Sequence, residues 1–124
     1  MNPIRLFFIG GAMTAVCHLA LAADDAERGR SLYQERCSAC HSPDFNGVGP
    51  AHRGVYGRAA ARADGFNYSD ALKSTHVVWG QAMLDRWLTD PEKVAPGQRM
   101  GISVPLGEDR ADLIEYLKQL SVKK

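Results

Sequence analysis

Two thiols and an imidazole stand within five consecutive residues, Cys37-Ser38-Ala39-Cys40-His41. Cysteines at this spacing lie on one turn of chain, and the histidine that follows places its ring beside them. Two such thiols bond to the two vinyl groups of a haem, and the imidazole then lies under the iron as an axial ligand. C-x-x-C-H is the sequence form of a c-type haem attachment site. Covalent linkage keeps one haem bound even where a small domain has a thin core. Three rival chemistries compete. A thioredoxin-like pair belongs at a strand-to-helix junction in a βαβ pattern, which is missing here. A structural zinc needs further ligands at defined spacing, and only His52 and His76 follow. A plain disulfide across two residues leaves the glycine-rich chain downstream unexplained.

Low-spin haem used for electron transfer takes a second axial ligand, and His/Met ligation raises the potential. The candidates are His52, His76, Met83 and Met100. Met83 falls on an apolar helical stripe, where methionine is ordinarily core filler. His52 is only eleven residues from His41, too near to cross the haem plane. Met100 sits in Pro96-Gly97-Gln98-Arg99-Met100, far enough along the chain to close over the other face.

The elements that position these groups read as helices. Asp24 to Arg36 opens on two acids and ends on a base, which suits a helix dipole and predicts a helix from about Asp25 to Cys37. Gly29 in its middle costs about 1 kcal/mol relative to Ala, which implies a close backbone contact there. From Ser42 to Thr75 the chain crowds glycines and prolines and has no lasting apolar period, so it reads as loop. So long an irregular stretch makes sense in a small domain if it wraps something that supplies the missing core. Gln81 to Thr89 sets Met83, Leu84, Trp87 and Leu88 at helical spacing, with Pro91 stopping it. Glu92 to Leu106 reads as loop. Glu108 to Leu120 sets Leu113, Ile114, Tyr116, Leu117 and Leu120 along one side, with acids early and Lys118 late, which predicts a C-terminal helix. No strand alternation or repeat stands out, and the class is all-α.

Residues 1–23 have a basic start at Arg5, an apolar stretch from Leu6 to about Leu21, and a small-residue end at Ala20-Leu21-Ala22-Ala23. This describes a secretory signal peptide cleaved after Ala22 or Ala23, leaving 24–124 as the domain. The apolar stretch is short for the ~30 Å hydrocarbon core of a membrane. Thr14-Ala15-Val16 before Cys17 lacks the leucine and the small final residue of a lipoprotein site, so Cys17 leaves with the peptide. Of fifteen basic side chains only Arg5 is lost, leaving fourteen against fourteen acids. A neutral chain lacks the basic surface that nucleic acid requires. With 45% apolar and 23% charged residues, the 124-residue chain is neither a disordered tail nor a disulfide-dense scaffold.

The ordered pieces of the mature chain resemble the class I cytochromes c, the short soluble bacterial kind close to mitochondrial cytochrome c. They are Cys37 to His41, Gly49-Pro50, Gly57-Arg58, Gly65-Phe66-Asn67-Tyr68-Ser69, Trp79-Gly80, Leu88-Thr89-Asp90-Pro91, Pro96 to Met100, and Arg110 to Leu117. The resemblance implies crossing N- and C-terminal helices, a middle helix, and long loops wrapped around one covalently bound haem. Cys37 and Cys40 would form the thioethers, and His41 and Met100 the axial bonds. The Pro50 carbonyl would accept a hydrogen bond from the other His41 ring nitrogen, fixing its tautomer. Arg58, Tyr68 and Trp79 would hold buried haem carboxylates, which are costly unless paired. Gly29 would let its helix cross the last one near Leu113 and Tyr116. Trp87, also placed against the cofactor, stands where the family usually has a tyrosine touching the methionine. Gln98 replaces a common threonine, and Leu72 an asparagine of the buried polar network.

The function implied is a periplasmic one-electron carrier, monomeric and not an enzyme, with redox partners docking at the haem edge near Cys37, Lys93 and Arg99. A neutral surface steers partners weakly. Two other readings are a haem subunit held by a periplasmic dehydrogenase, and a haem sensor or peroxidase-like protein in which Met100 detaches.

Overall fold

The computed structural model describes residues 16–122, which form five helices and no sheet. They are α1 (Val16–Arg36), α2 (Asp70–Lys73), α3 (Gln81–Thr89), α4 (Pro91–Val94) and α5 (Gly107–Gln119). The all-α expectation holds among these residues, and the longest connection runs from the end of α1 to α2.

The main helical contact is between α1 and α5, with α3 packed on α5 and on α4. Gly29 sets the crossing. A Cβ there would sit 1.9 Å from the carbonyl oxygen of Asp112 and 2.9 Å from Cβ of Tyr116. The backbones therefore approach as closely as the mid-helix glycine implied, with Asp112 rather than Leu113 as the nearest residue. Ion pairs from Arg28 to Asp112 (3.1 Å) and from Arg36 to Asp109 (3.3 Å) join the two helices. The core then continues from Tyr33, Leu113, Ile114 and Leu117 to Leu84, Trp87 and Leu88 of α3.

One boundary and two short turns depart from the sequence reading by more than a residue. α1 begins at Val16, upstream of the expected start near Asp25, so Asp24 and Asp25 are not in its first turn. Ala20-Leu21-Ala22-Ala23 are strong helix formers and carry the helix back through the expected cleavage point. Residues 1–15 of the expected signal peptide lie outside the described residues. Within the expected loop 42–75, Ser69 caps the single turn of α2 by accepting from Leu72 N–H at 3.2 Å. Within the expected loop 92–106, Asp90 caps α4, whose first residue is Pro91. Pro91 thus ends α3 and also opens a further turn, since a proline is disfavoured inside a helix but tolerated in its first turn. α3 has the predicted bounds, and α5 starts and ends one residue earlier than predicted. Among the described residues no helix is long and apolar enough to cross a membrane.

Candidate functional site

The attachment pentapeptide is the turn that ends α1. The Cys37 carbonyl accepts from the N–H groups of Cys40 (3.1 Å) and His41 (2.9 Å), so Cys37, Cys40 and His41 project from one loop of backbone. Both thiols are free and half-buried. Burial pushes the Cys37 thiol up to about 11, with Arg36 opposing and Cys40 adding to the shift. No group of three or more His, Cys, Asp and Glu side chains placed to hold a metal ion gathers among the described residues.

The chain after His41 folds back over it. Gly49 N–H donates to the Cys40 carbonyl at 2.8 Å, and His52 N–H to the Ser42 carbonyl at 3.0 Å. Asn46 ties this loop in two directions, accepting from Ala51 N–H and donating to the Asp64 carbonyl. The His41 ring is bound at Nδ1, 2.8 Å from the Pro50 carbonyl oxygen. A carbonyl only accepts, so Nδ1 carries the proton and Nε2 keeps its lone pair. No hydrogen bond among the described residues uses Nε2. Burial lowers the His41 pKa, and the Pro50 bond opposes that shift. Gly49 is required beside the ring, because a Cβ there would come within 2.2 Å of Cε1.

His52 stacks on His41, with ring centroids 4.0 Å apart and planes 20° from parallel. Two imidazoles so placed share one side of a site and cannot face each other across a metal. His76 is exposed, and Met83 packs against the core from α3.

Arg58 and Trp79 are brought together by the backbone. Trp79 N–H donates to the Arg58 carbonyl (2.9 Å), and the Trp79 carbonyl accepts from Gly57 N–H (2.8 Å), around the single bridge between Ala59 and Val78. The Arg58 terminal nitrogens reach the carbonyls of Arg53 and Ala51, but its Nε is buried without a partner. A buried donor left unpaired marks a place where an acceptor belongs. Tyr68 is buried with its hydroxyl oxygen accepting from Ala63 N–H at 3.0 Å, which leaves the hydroxyl proton free to donate. It packs on Phe66 and lies apart from the main core cluster. Trp87 is buried on α3 and meets Trp79 edge to face at 5.2 Å.

Met100 is half-buried against the same core cluster as Cys37, Trp79 and Trp87. Its loop is fastened by Gln98 and Arg99, which the sequence marks for other reasons, and by Glu92, which it does not. Gln98 Oε1 accepts Met100 N–H, while Glu92 accepts from Gly97 N–H (2.7 Å) and Gln98 Nε2 (3.3 Å). Arg99 donates to the Asn67 carbonyl at 3.1 Å. Beyond the loop, Arg110 pairs with Asp85 of α3 at 2.7 Å and donates to the carbonyls of Val104 and Pro105. Arg110 opens the Arg110 to Leu117 piece of the resemblance, but nothing in the sequence marks its pairing with Asp85.

A covalent haem suits these groups: free thiols on one turn, a histidine with its second nitrogen uncommitted, a methionine at the core, and an unpartnered buried guanidinium nitrogen.

Comparison with known proteins agrees with this chemistry. Residues 26–121 match the family model described as Cytochrome c. The chain is similar to cytochrome c of Euglena viridis, 40% identical over 99 residues, covering 77% of this chain and 97% of that protein. It is also similar to cytochrome c2 of Rhodomicrobium vannielii, 37% identical over 123 residues, covering 94% and 95%. Among solved structures, cytochrome cH from Methylobacterium extorquens superposes with a TM-score of 0.73 at 42% identity, covering 77% of this chain and 98% of that one.

Proposed function

The chain belongs to the cytochrome c family, and from that premise we propose a periplasmic one-electron carrier with His41 and Met100 as axial ligands to its haem iron. Members of the family are electron-transfer proteins, not enzymes, and carry one covalently bound haem c per chain. When bound, the haem supplies an iron that alternates between ferric and ferrous and so takes up and releases one electron.

The chain's own residues hold, orient and shield. Cys37 and Cys40 would form the thioethers from the turn that ends α1. The bond to Pro50 fixes the His41 tautomer and makes Nε2 the stronger donor. Gln98 and Glu92 set the Met100 loop from its backbone, so the thioether sulfur is delivered without depending on its own bond for position. Arg58, Tyr68 and Trp79 would answer the haem carboxylates, Arg58 through its unpartnered Nε and Tyr68 through its free hydroxyl proton. Trp87 would close the apolar wall beside Trp79 and exclude water. The observation that carries the reading is the single turn presenting two free thiols and a tautomer-fixed imidazole.

Signal cleavage after Ala22 or Ala23 would deliver residues 24–124 to the periplasm, where c-type haem is attached. Redox partners would dock on the face near Cys37, Lys93 and Arg99.

Absorption spectra of the protein produced in a periplasm with haem-attachment machinery test this. A low-spin c-type spectrum with a weak far-red ferric band identifies methionine ligation. A high-spin spectrum, or carbon monoxide binding to the reduced protein at neutral pH, overturns Met100 as a retained ligand. Absence of haem overturns the whole reading. Co-purification with a catalytic chain separates a fixed dehydrogenase subunit from a free carrier.

A further inference from the structure

The His41 ring has one hydrogen bond, to Pro50, and a single bond leaves a ring free to pivot about it. Two further contacts remove that freedom. The Gly49 backbone lies against the ring, where an added Cβ would come within 2.7 Å of both ring nitrogens. The His52 ring lies over it at 4.0 Å and within 20° of parallel. His52 is itself held from three sides. Its Nδ1 meets the Tyr33 hydroxyl at 3.1 Å, its N–H donates to the Ser42 carbonyl, and its carbonyl accepts from Val55 N–H at 2.9 Å. Tyr33 is buried on α1 and packs on Tyr116 of α5 at 5.2 Å. A continuous aromatic chain thus runs from the α1–α5 crossing to the face of His41.

We propose that His52, anchored by the Tyr33 hydroxyl, is the positioning residue that fixes the plane of the His41 imidazole. The inference rests on His41 being the axial ligand. An aliphatic side chain at 52 would fill the same space but present no plane, and it would leave the Tyr33 hydroxyl unpaired in the interior, a costly arrangement. The Tyr33 hydroxyl and His52 Nδ1 pair at 3.1 Å whichever of the two supplies the proton. The proposed role needs no proton change at either ring.

The test uses the haem-loaded protein and three variants, His52→Leu, His52→Phe and Tyr33→Phe. Haem-methyl proton shifts of the ferric state report the orientation of the axial imidazole plane, and the reduction potential and thermal midpoint are read beside them. His52→Leu is expected to reorder the methyl resonances and shift the potential while the spectrum stays low-spin. His52→Phe, which keeps a ring in the stack but loses the Tyr33 bond, is expected to restore the wild-type order in large part, as far as Tyr33→Phe retains it. Tyr33→Phe is expected to move the pattern part of the way. Wild-type methyl order and potential in His52→Leu overturn the inference, even if the thermal midpoint falls. Equal changes in the Leu and Phe variants overturn it too, because volume and not plane would then decide. If His52→Leu does not accumulate with haem, an unchanged pattern in Tyr33→Phe overturns it. A His41→Ala protein that keeps its low-spin nitrogen ligation fails the ligand assignment itself, and the inference falls with it.

Discussion

Met100 is held by its backbone, and that decides what removing its side chain does. Gln98 accepts its N–H, and Gly97 at φ +88° takes a left-handed turn natural to glycine. Neither depends on the thioether. Met100→Ala should therefore keep the loop and the covalently attached haem, lower the reduction potential, and admit carbon monoxide to the reduced protein. Redox titration and a carbon monoxide difference spectrum check this, and an unchanged potential would remove Met100 from the iron. Asp112 gives a second prediction at this scale. Its buried Oδ2 lies 3.1 Å from Arg28 but in no hydrogen bond, and burial outweighs Arg28 to raise its pKa. A carboxyl whose folded pKa exceeds its unfolded value binds more protons when folded, so its cost is full above the folded pKa and fades as pH falls towards 3.8. Asp112→Asn should then raise the thermal midpoint at pH 7, with the gain over wild type shrinking towards pH 4. A gain constant with pH would assign the effect to packing. Cys37, Cys40 and His41 were legible because their chemistry is local in sequence. His52, Tyr33 and Arg110 were not, because their partners lie 11 to 25 residues away and only the folded chain joins them.

Among the elements, α1 and α5 meet where no side chain fits between them. Gly29→Ala would place a methyl carbon 1.9 Å from the Asp112 carbonyl oxygen, a backbone atom that cannot swing aside. Overpacking of this kind costs about 3 kcal/mol, whereas the better helix propensity of alanine returns about 1 kcal/mol. The net loss of about 2 kcal/mol should lower the thermal midpoint by roughly 10 °C in a domain of this size. A midpoint within error of wild type would mean the helices separate freely. The same glycine made the crossing legible, since a mid-helix glycine without a packing reason is a local cost. α3 was legible to the residue because Gly80 precedes a strong apolar stripe and Pro91 follows it. The turns α2 and α4 were not, since each is four residues long and rests on one capping side chain, Ser69 or Asp90. Periodicity has nothing to count over a single turn.

At the scale of the whole molecule, charge and core make separate predictions. Side chains 24–124 sum to zero, and Lys93 on the proposed docking face is already paired with Asp90 at 3.3 Å. Steering by a strong field changes association by factors of about 10 to 1,000. Raising the salt concentration should here change the electron-transfer rate to a partner by less than about tenfold, and a steeper fall in stopped-flow measurements would contradict it. The stretch from Cys37 to Ser69 contains no helix and only one isolated bridging residue, Ala59. Its buried apolar side chains are Val55, Ala60 and Tyr68. Ordering backbone costs about 1–2 kcal/mol per residue, and so few buried side chains offset little of that. On the proposed reading the haem would be the core of this half of the molecule, held there by Cys37 and Cys40. A Cys37→Ala/Cys40→Ala double variant, made without covalent haem, should show far-UV circular dichroism of a largely unfolded chain and no cooperative melting. Native-like helix content with a sharp transition would mean that the loops hold themselves together, and that the haem only occupies a cavity the protein has already built.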